Sequence, residues 1–192
     1  LYKCSELSAR IGAREKNEAI KKKYYDHAVI YANRLIKLEP DSDNSYVAIC
    51  IALGKQALTK SGKDKIASVK EIRLYAEKAI KINPNNYKAW HILGKWHYEV
   101  ANLNFFEKSI LKLFFGGLPD ASFKASVQAY EKALKLNDVF ILNELELAKA
   151  LYANDQKKQA IQWLRHLQTL PNKTEDDPVI KKEAQQLLKD WD

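Results

Sequence analysis

The chain has 192 residues, 46% apolar and 29% charged, and its 32 Lys+Arg against 24 Asp+Glu give a net charge of +8. This is the composition of a globular domain or repeat array with a continuous core, and six Gly with five Pro exclude a loop-rich sandwich or a disordered chain. No apolar run approaches the roughly 20 residues of a membrane span, and two cysteines without CxxC spacing exclude a disulfide scaffold.

In chain order, a four-residue frame recurs at helical spacing. Its copies are Cys4, Leu7, Ser8 and Ile11, then Tyr46, Ile49, Cys50 and Leu53, then Trp90, Leu93, Gly94 and His97, and last Glu144, Leu147, Ala148 and Leu151. The third position is always small, which lets a neighbouring helix approach. A partner helix follows each copy and ends in a turn. The partners run through Ala28, Ala32 and Leu35 to Pro40, Ile72, Ala76 and Ala79 to Pro84, Ser126, Tyr130 and Ala133 to Asp138, and Ala160, Leu164 and Leu167 to Pro171. Proline after the last turn stops a helix because it cannot continue the hydrogen-bond ladder. Asp177-Pro178 then predicts a cap and a last helix over 178–191. The chain begins without Met inside a helical pattern, so the expectation is a processed, soluble domain that lacks any targeting or anchor segment. Nothing in the sequence assigns a compartment.

These residues resemble the tetratricopeptide repeat, with its W-x-x-L-G-x-x-Y frame followed by A, F, A and P positions. The first three units exceed the ordinary repeat by roughly 8, 10 and 20 residues between their helices. The charged stretch Ala13 to Tyr25 contains no Pro or Gly and extends a helix. Breaks are expected at Ser61-Gly62 and at Gly116-Gly117-Leu118-Pro119-Asp120. The predicted fold is all-α: a tetratricopeptide-like, right-handed superhelical array of four helix pairs with elongated hairpins plus a C-terminal capping helix. It is expected as one domain over 1–192, with units at about 1–40, 41–84, 85–138 and 139–171.

A more specific resemblance lies in the third unit. Residues 94–108, GKWHYEVANLNFFEK, are similar to a stretch of the regulator of microtubule dynamics family, which includes a mitochondrial outer-membrane tether. Leu113-Phe114-Phe115, Ala129-Tyr130, Leu147-Ala148-Lys149 and the segment from Leu170-Pro171 through Thr174 to Asp177 continue the similarity. The resemblance implies a helical binding module, with members tied to microtubules and organelle contact sites, and with phospholipid binding associated with the tether's repeat domain.

Catalytic motifs are missing from the pattern. His27, His91, His97 and His166 form no HxxxH or HExxH spacing, and there is no Walker loop, GxSxG or GxGxxG. The expectation is a non-enzymatic chain with no catalytic residue, metal or cofactor. Lys21-Lys22-Lys23 before Tyr24-Tyr25 reads as an exposed lysine turn with the tyrosines packed inward, so no specific nucleic acid is expected.

The concave groove is the expected binding site. Val47, Ile51 and Lys55 would line it from one repeat, Lys88, His91, Lys95 and Tyr98 from the next, and Leu142, Leu145, Lys149 and Tyr152 from the last. Apolar area for acyl chains, at about 0.8 kcal/mol per CH₂, combined with recurring lysines for phosphate predicts an amphipathic ligand such as a phospholipid. A protein scaffold holding a peptide or helix is the alternative, with association of the +8 surface with acidic tubulin tails a minor one. Alternatively, Val47, Ile51 and Leu145 pack against an adjacent helix and do not line an open groove. Val47 and Ile51 also stand where a carboxylate clamp would need Lys and Asn. The phenylalanines Phe105, Phe106, Phe114 and Phe115 are expected to pack inside the third hairpin, or else to put its tip on the groove, a membrane or a partner.

Overall fold

The computed structural model describes residues 1–60, 62–115 and 120–191. Among them are ten α-helices and no strand: α1 (Tyr2–Arg14), α2 (Glu18–Leu38), α3 (Asp43–Ala57), α4 (Gly62–Ile82), α5 (Tyr87–Ala101), α6 (Phe105–Phe115), α7 (Phe123–Leu136), α8 (Ile141–Ala153), α9 (Lys157–Thr169) and α10 (Asp177–Trp191). Local chemistry sets several starts. The Asn17 side chain accepts from the N–H groups of Ala19 and Ile20, and Ser122 Oγ accepts from Ala125 N–H, so donors that a first helical turn leaves unpaired are satisfied. Before α5, Asn86 Oδ1 accepts from the N–H groups of Lys88 and Ala89.

The chain packs as two units. The first holds Leu1–Ile92 together with α6, and the second holds α5 from Leu93 onward with α7 to α10.

In the first unit α1 packs on α2, α2 on α3 and α3 on α4. Its core is built on small residues: Ala9, Ala28, Ala32, Ala48 and Ala52 bring helix backbones close, and Leu35, Ile49 and Leu53 fill the remaining space. Tyr46, Val47, Ala79 and Ala89 form a second cluster. The turn from α4 to α5 is tied down by the amides of Asn83 and Asn86, which both donate to Asp43 Oδ2, at 2.7 and 2.8 Å.

The frame in α1 lies one residue later than its sequence suggests. Ser5, Ala9 and Gly12 are the buried face, whereas Cys4, Leu7 and Ile11 are exposed. The reason is Tyr25. A Cβ at Gly12 would lie 2.7 Å from its ring, so the one residue without a side chain faces the aromatic. Ser5 Oγ donates to Ala28 O at 2.9 Å and holds the same register.

The extra length is used in two ways. In the first two hairpins it lengthens the second helix, giving α2 and α4 21 residues each. In the third it does not elongate the hairpin: α5 and α7 have 15 and 14 residues, and the insertion forms a helix of its own, α6. Asn102, Leu103 and Asn104 lie between α5 and α6, and asparagine side chains compete with the helix for backbone partners. On α6, Leu111 is buried, but Phe105 and Leu113 are 87% and 81% exposed, so Phe105 is not the core residue expected of it. Ser61 and the expected turn at 116–119 lie outside the described residues.

In the second unit Gly94 meets Tyr130. A Cβ there would come within 2.8 Å of the Tyr130 ring, which gives the frame's small position its physical meaning. Ser126 Oγ donates to Gly94 O at 2.8 Å, and Asn143 Nδ2 to Tyr130 O at 2.9 Å. Two clusters follow, one around Tyr130, Leu147, Leu151 and Ala160 and one around Leu145, Ala148, Leu164, Leu167 and Ala184. Asp177 does a different job from the expected cap. Its carboxylate accepts from Thr174 Oγ1 and from the N–H groups of Lys173 and Thr174, each at 2.7 Å, and so braces the loop before α10. Burial alone would raise its pKa, but these hydrogen bonds outweigh it and hold the carboxyl below its ordinary range.

Candidate functional site

Residues expected in one groove fall into both units. Val47, Ile51, Lys55 and His91 belong to the first; Lys95, Tyr98, Leu145, Lys149 and Tyr152 belong to the second.

In the first unit Val47 is 0% exposed and packs with Tyr46, Ala79 and Ala89, with Ile51 against the same cluster. Both therefore serve the core. Lys55 and His91 are half-buried on α3 and α5. Lys88, from the same frame, donates to Tyr2 Oη at 3.1 Å with its ammonium over that ring. Burial would lower its pKa, and the Tyr2 contact more than offsets this and leaves it raised.

In the second unit Leu145 is 1% exposed and packs against α9 and α10 residues, so it too is core. The lysines have a different setting. Lys95 reaches Glu146 Oε2 at 2.7 Å and Glu99 Oε1 at 3.0 Å. Lys149 reaches Glu146 Oε1 at 3.3 Å and Glu183 Oε1 at 2.6 Å. Glu99, Lys95, Glu146, Lys149 and Glu183 thus form one alternating strip across α5, α8 and α10. Burial works against both ammonium groups, but the carboxylates prevail and both pKa values are raised. The lysines stay charged, and their charge is already matched.

Aromatic rings flank the strip. Tyr98 lies under the Lys95 ammonium and 5.6 Å from the Phe123 ring, and burial pushes its phenol up. Tyr152 stacks on Trp191 with ring centres 3.9 Å apart, and Lys157 sits over its ring. The outer carboxylates stay accessible, with about half of the Glu99 and Glu183 side chains in solvent, while Glu146 is buried.

Two functional-looking groups escape sequence reasoning. Nothing in the sequence marks Glu146 as the centre of the strip, and Glu144 stands there only as a frame position. Glu144 is fully buried, and its Oε2 lies 2.9 Å from His166 Nδ1. Burial raises its pKa, and the His166 hydrogen bond partly opposes that rise. The available signal is two glutamates inside ILNELELAKALYA, a helix whose other residues read almost entirely as core. Among the described residues no group of three or more His, Cys, Asp or Glu side chains is placed to hold a metal, and no helix is long and apolar enough to cross a membrane.

Comparison with known proteins agrees with this architecture. A solved thermophilic TPR protein of Thermus thermophilus, TTC0263, superposes with a TM-score of 0.60 over 95% of this chain and 89% of that one. At 12% identity the likeness is one of fold, and it gives a tetratricopeptide-like helical array. Regulator of microtubule dynamics protein 1 of Mus musculus is 29% identical over 190 residues, which is 98% of this chain and 62% of the relative. The protein of the same name from Homo sapiens is 30% identical over 173 residues, 90% of this chain and 55% of the relative. The chain therefore spans less than two-thirds of the length of these relatives. The profile described as Regulator of microtubule dynamics protein 1-3 matches residues 1–192, and the chain belongs to that family.

Proposed function

We propose that this chain is a non-catalytic protein-interaction module whose second unit offers the α5–α8–α10 strip to a polypeptide. The observation that carries the reading is the pairing of both groove lysines with carboxylates, three acidic groups against two ammonium groups. A phosphate ligand would have to displace the buried Glu146, and stripping a buried carboxylate of its ammonium partners costs several kcal/mol, roughly 3–5. A polypeptide brings alternating charges and backbone donors that match such a strip without breaking it. The burial of Val47 and Leu145 points the same way, because their aliphatic area is already used in packing.

The relatives are named as regulators of microtubule dynamics, which makes assembled microtubules the first partner to try. The test is cosedimentation with microtubules, followed by zero-length cross-linking of carboxylates to lysines in the pelleted complex. Saturable pelleting with Glu99 and Glu183 among the cross-linked residues supports the proposal. No pelleting at low salt, together with a stoichiometric phospholipid seen by native mass spectrometry of the purified chain, overturns it and restores the phospholipid reading.

A further inference from the structure

The net positive charge comes from one part of the chain. Residues 1–92 carry 18 Lys+Arg against 10 Asp+Glu, whereas residues 93–192 carry 14 of each. Within the first unit the excess collects at one edge. There α1 ends and α2 begins, joined by residues 15–17, and α3 ends close to the start of α4. Gly12 packed on Tyr24 and Tyr25 fixes the first of these hairpin ends. Gln56 Nε2, donating to Asp26 Oδ1 at 2.7 Å, joins the end of α3 to the early turns of α2. Lys16, Lys22, Lys23 and Lys65 are all exposed on this edge, and the basic residues there outnumber the acidic Glu15, Glu18 and Asp64, of which Glu18 is paired with Lys21. The opposite edge is balanced, since Glu39, Asp41 and Asp43 lie where α2 gives way to α3, beside Lys37 and Lys81.

Aliphatic side chains stand out among these lysines. Leu58, just past the end of α3, is 72% exposed, and Ile20 in the first turn of α2 is 42% exposed. Neither belongs to the buried clusters of the first unit among the described residues. A purely electrostatic site for an acidic polypeptide has no use for them. Lysine ammonium groups act as point charges toward a diffuse anionic surface, while a projecting aliphatic can enter the headgroup layer. We infer that this hairpin edge of the first unit is a peripheral docking surface for an anionic lipid bilayer. Lys16, Lys22, Lys23 and Lys65 face the headgroups, and Leu58 and Ile20 enter the interface. The surface is separate from the α5–α8–α10 strip, which lies in the other unit, and the two can succeed or fail independently.

The experiment is flotation of the whole chain with phosphatidylcholine vesicles, with and without about one-third phosphatidylserine, at near-physiological salt. Binding is expected to the anionic vesicles and not to the neutral ones. The triple variant K22E/K23E/K65E should reduce partitioning by about a hundredfold, from a few-fold to fivefold per lysine before reversal. Leu58→Asp should reduce it by about tenfold. All four side chains are solvent-facing, and an unchanged thermal midpoint verifies that each variant is folded. No preference for anionic vesicles, or equal binding by the triple variant, overturns the inference. So does tight binding of poly-glutamate combined with an inert Leu58→Asp, which would assign the edge to an acidic polypeptide.

Discussion

The two units use the same helix-hairpin frame and treat charge in opposite ways. In the first, among the described residues, the buried polar side chains are those of Ser5, Ser45, Ser68 and Asn86, and the formal charges lie outside the core. In the second, Glu144, Glu146 and Asp177 are buried as well, and each carboxylate has a specific partner. A helical repeat can thus be closed by small residues and aliphatic packing, or by packing that encloses matched charges. The first leaves a net field on the surface; the second leaves a local pattern. Surface field and local pattern suit different partners, which is why a lipid surface and a polypeptide are assigned to different units.

The largest test of this contrast is Tyr130→Ala. Tyr130 is wholly buried against Gly94 and α8, and its loss should cost the second unit about 3–5 kcal/mol. Hydrogen exchange should show α7 and α8 opening before α2 and α3. Uniform opening of all helices would mean that the units unfold as one.

Glycine substitutions should separate close approach from mere helix composition. Gly94→Ala places a methyl within 3 Å of the Tyr130 ring and should cost about 1–3 kcal/mol in chemical denaturation. Gly54→Ala, in α3 with nothing within 4 Å of the new Cβ, should instead stabilise by about 0.5–1 kcal/mol. The same sign at both sites would falsify the packing account of Gly94.

Buried and exposed ion pairs provide the next comparison. Glu146→Gln removes the charge that joins Lys95 and Lys149, and should cost about 1–2 kcal/mol because Glu99 and Glu183 retain part of the pairing. Glu77→Gln, which breaks the exposed Arg73 pair on α4, should cost no more than about 0.5 kcal/mol. Thermal midpoints in low and high salt check both, and only the Glu77 effect should vanish with salt.

The pH response should be the smallest effect and should have two limbs of opposite sign. Glu144 has a raised pKa, so it contributes stability at or below the ordinary glutamate value, and that stability is lost as pH rises through its folded pKa. Asp177 has a lowered pKa, so its contribution is present above the ordinary aspartate value and is lost as pH falls through its folded pKa. Lowering the pH from neutrality should therefore first strengthen and then weaken the second unit, by about 1 kcal/mol on the acid limb, where the hydrogen bonds to Asp177 are lost. Glu144→Gln should erase the first limb and Asp177→Asn the second. A thermal midpoint that falls monotonically from neutral pH in wild type would remove Glu144 from the account.

Much of the fold was legible in the sequence because helical periodicity and turn chemistry are local. The frame at Tyr46, Gly94 and Ala148 and the proline stops at 40, 84 and 171 needed no knowledge of long-range contacts. The α1 register was not legible, because its buried face of Ser5, Ala9 and Gly12 is less hydrophobic than the exposed Leu7 and Ile11. Only the Tyr25 ring across the hairpin makes that small face the inner one. The site was partly legible for a similar reason. Lysines recurring at 55, 95 and 149 were visible, while the partners of Lys95 and Lys149 on other helices were not.

Sequence alone determined that this chain makes helices of a repeating kind, where most of them stop, and which family motif it carries. Tertiary structure decided which residues those helices bury. It turned Val47 and Leu145 into core, put Glu146 between two lysines 51 residues away in one direction and three in the other, and made a separate helix of residues 105–115. The physical reason is that helix formation follows from neighbours three and four residues away. Burial and charge pairing depend on side chains that only packing brings together.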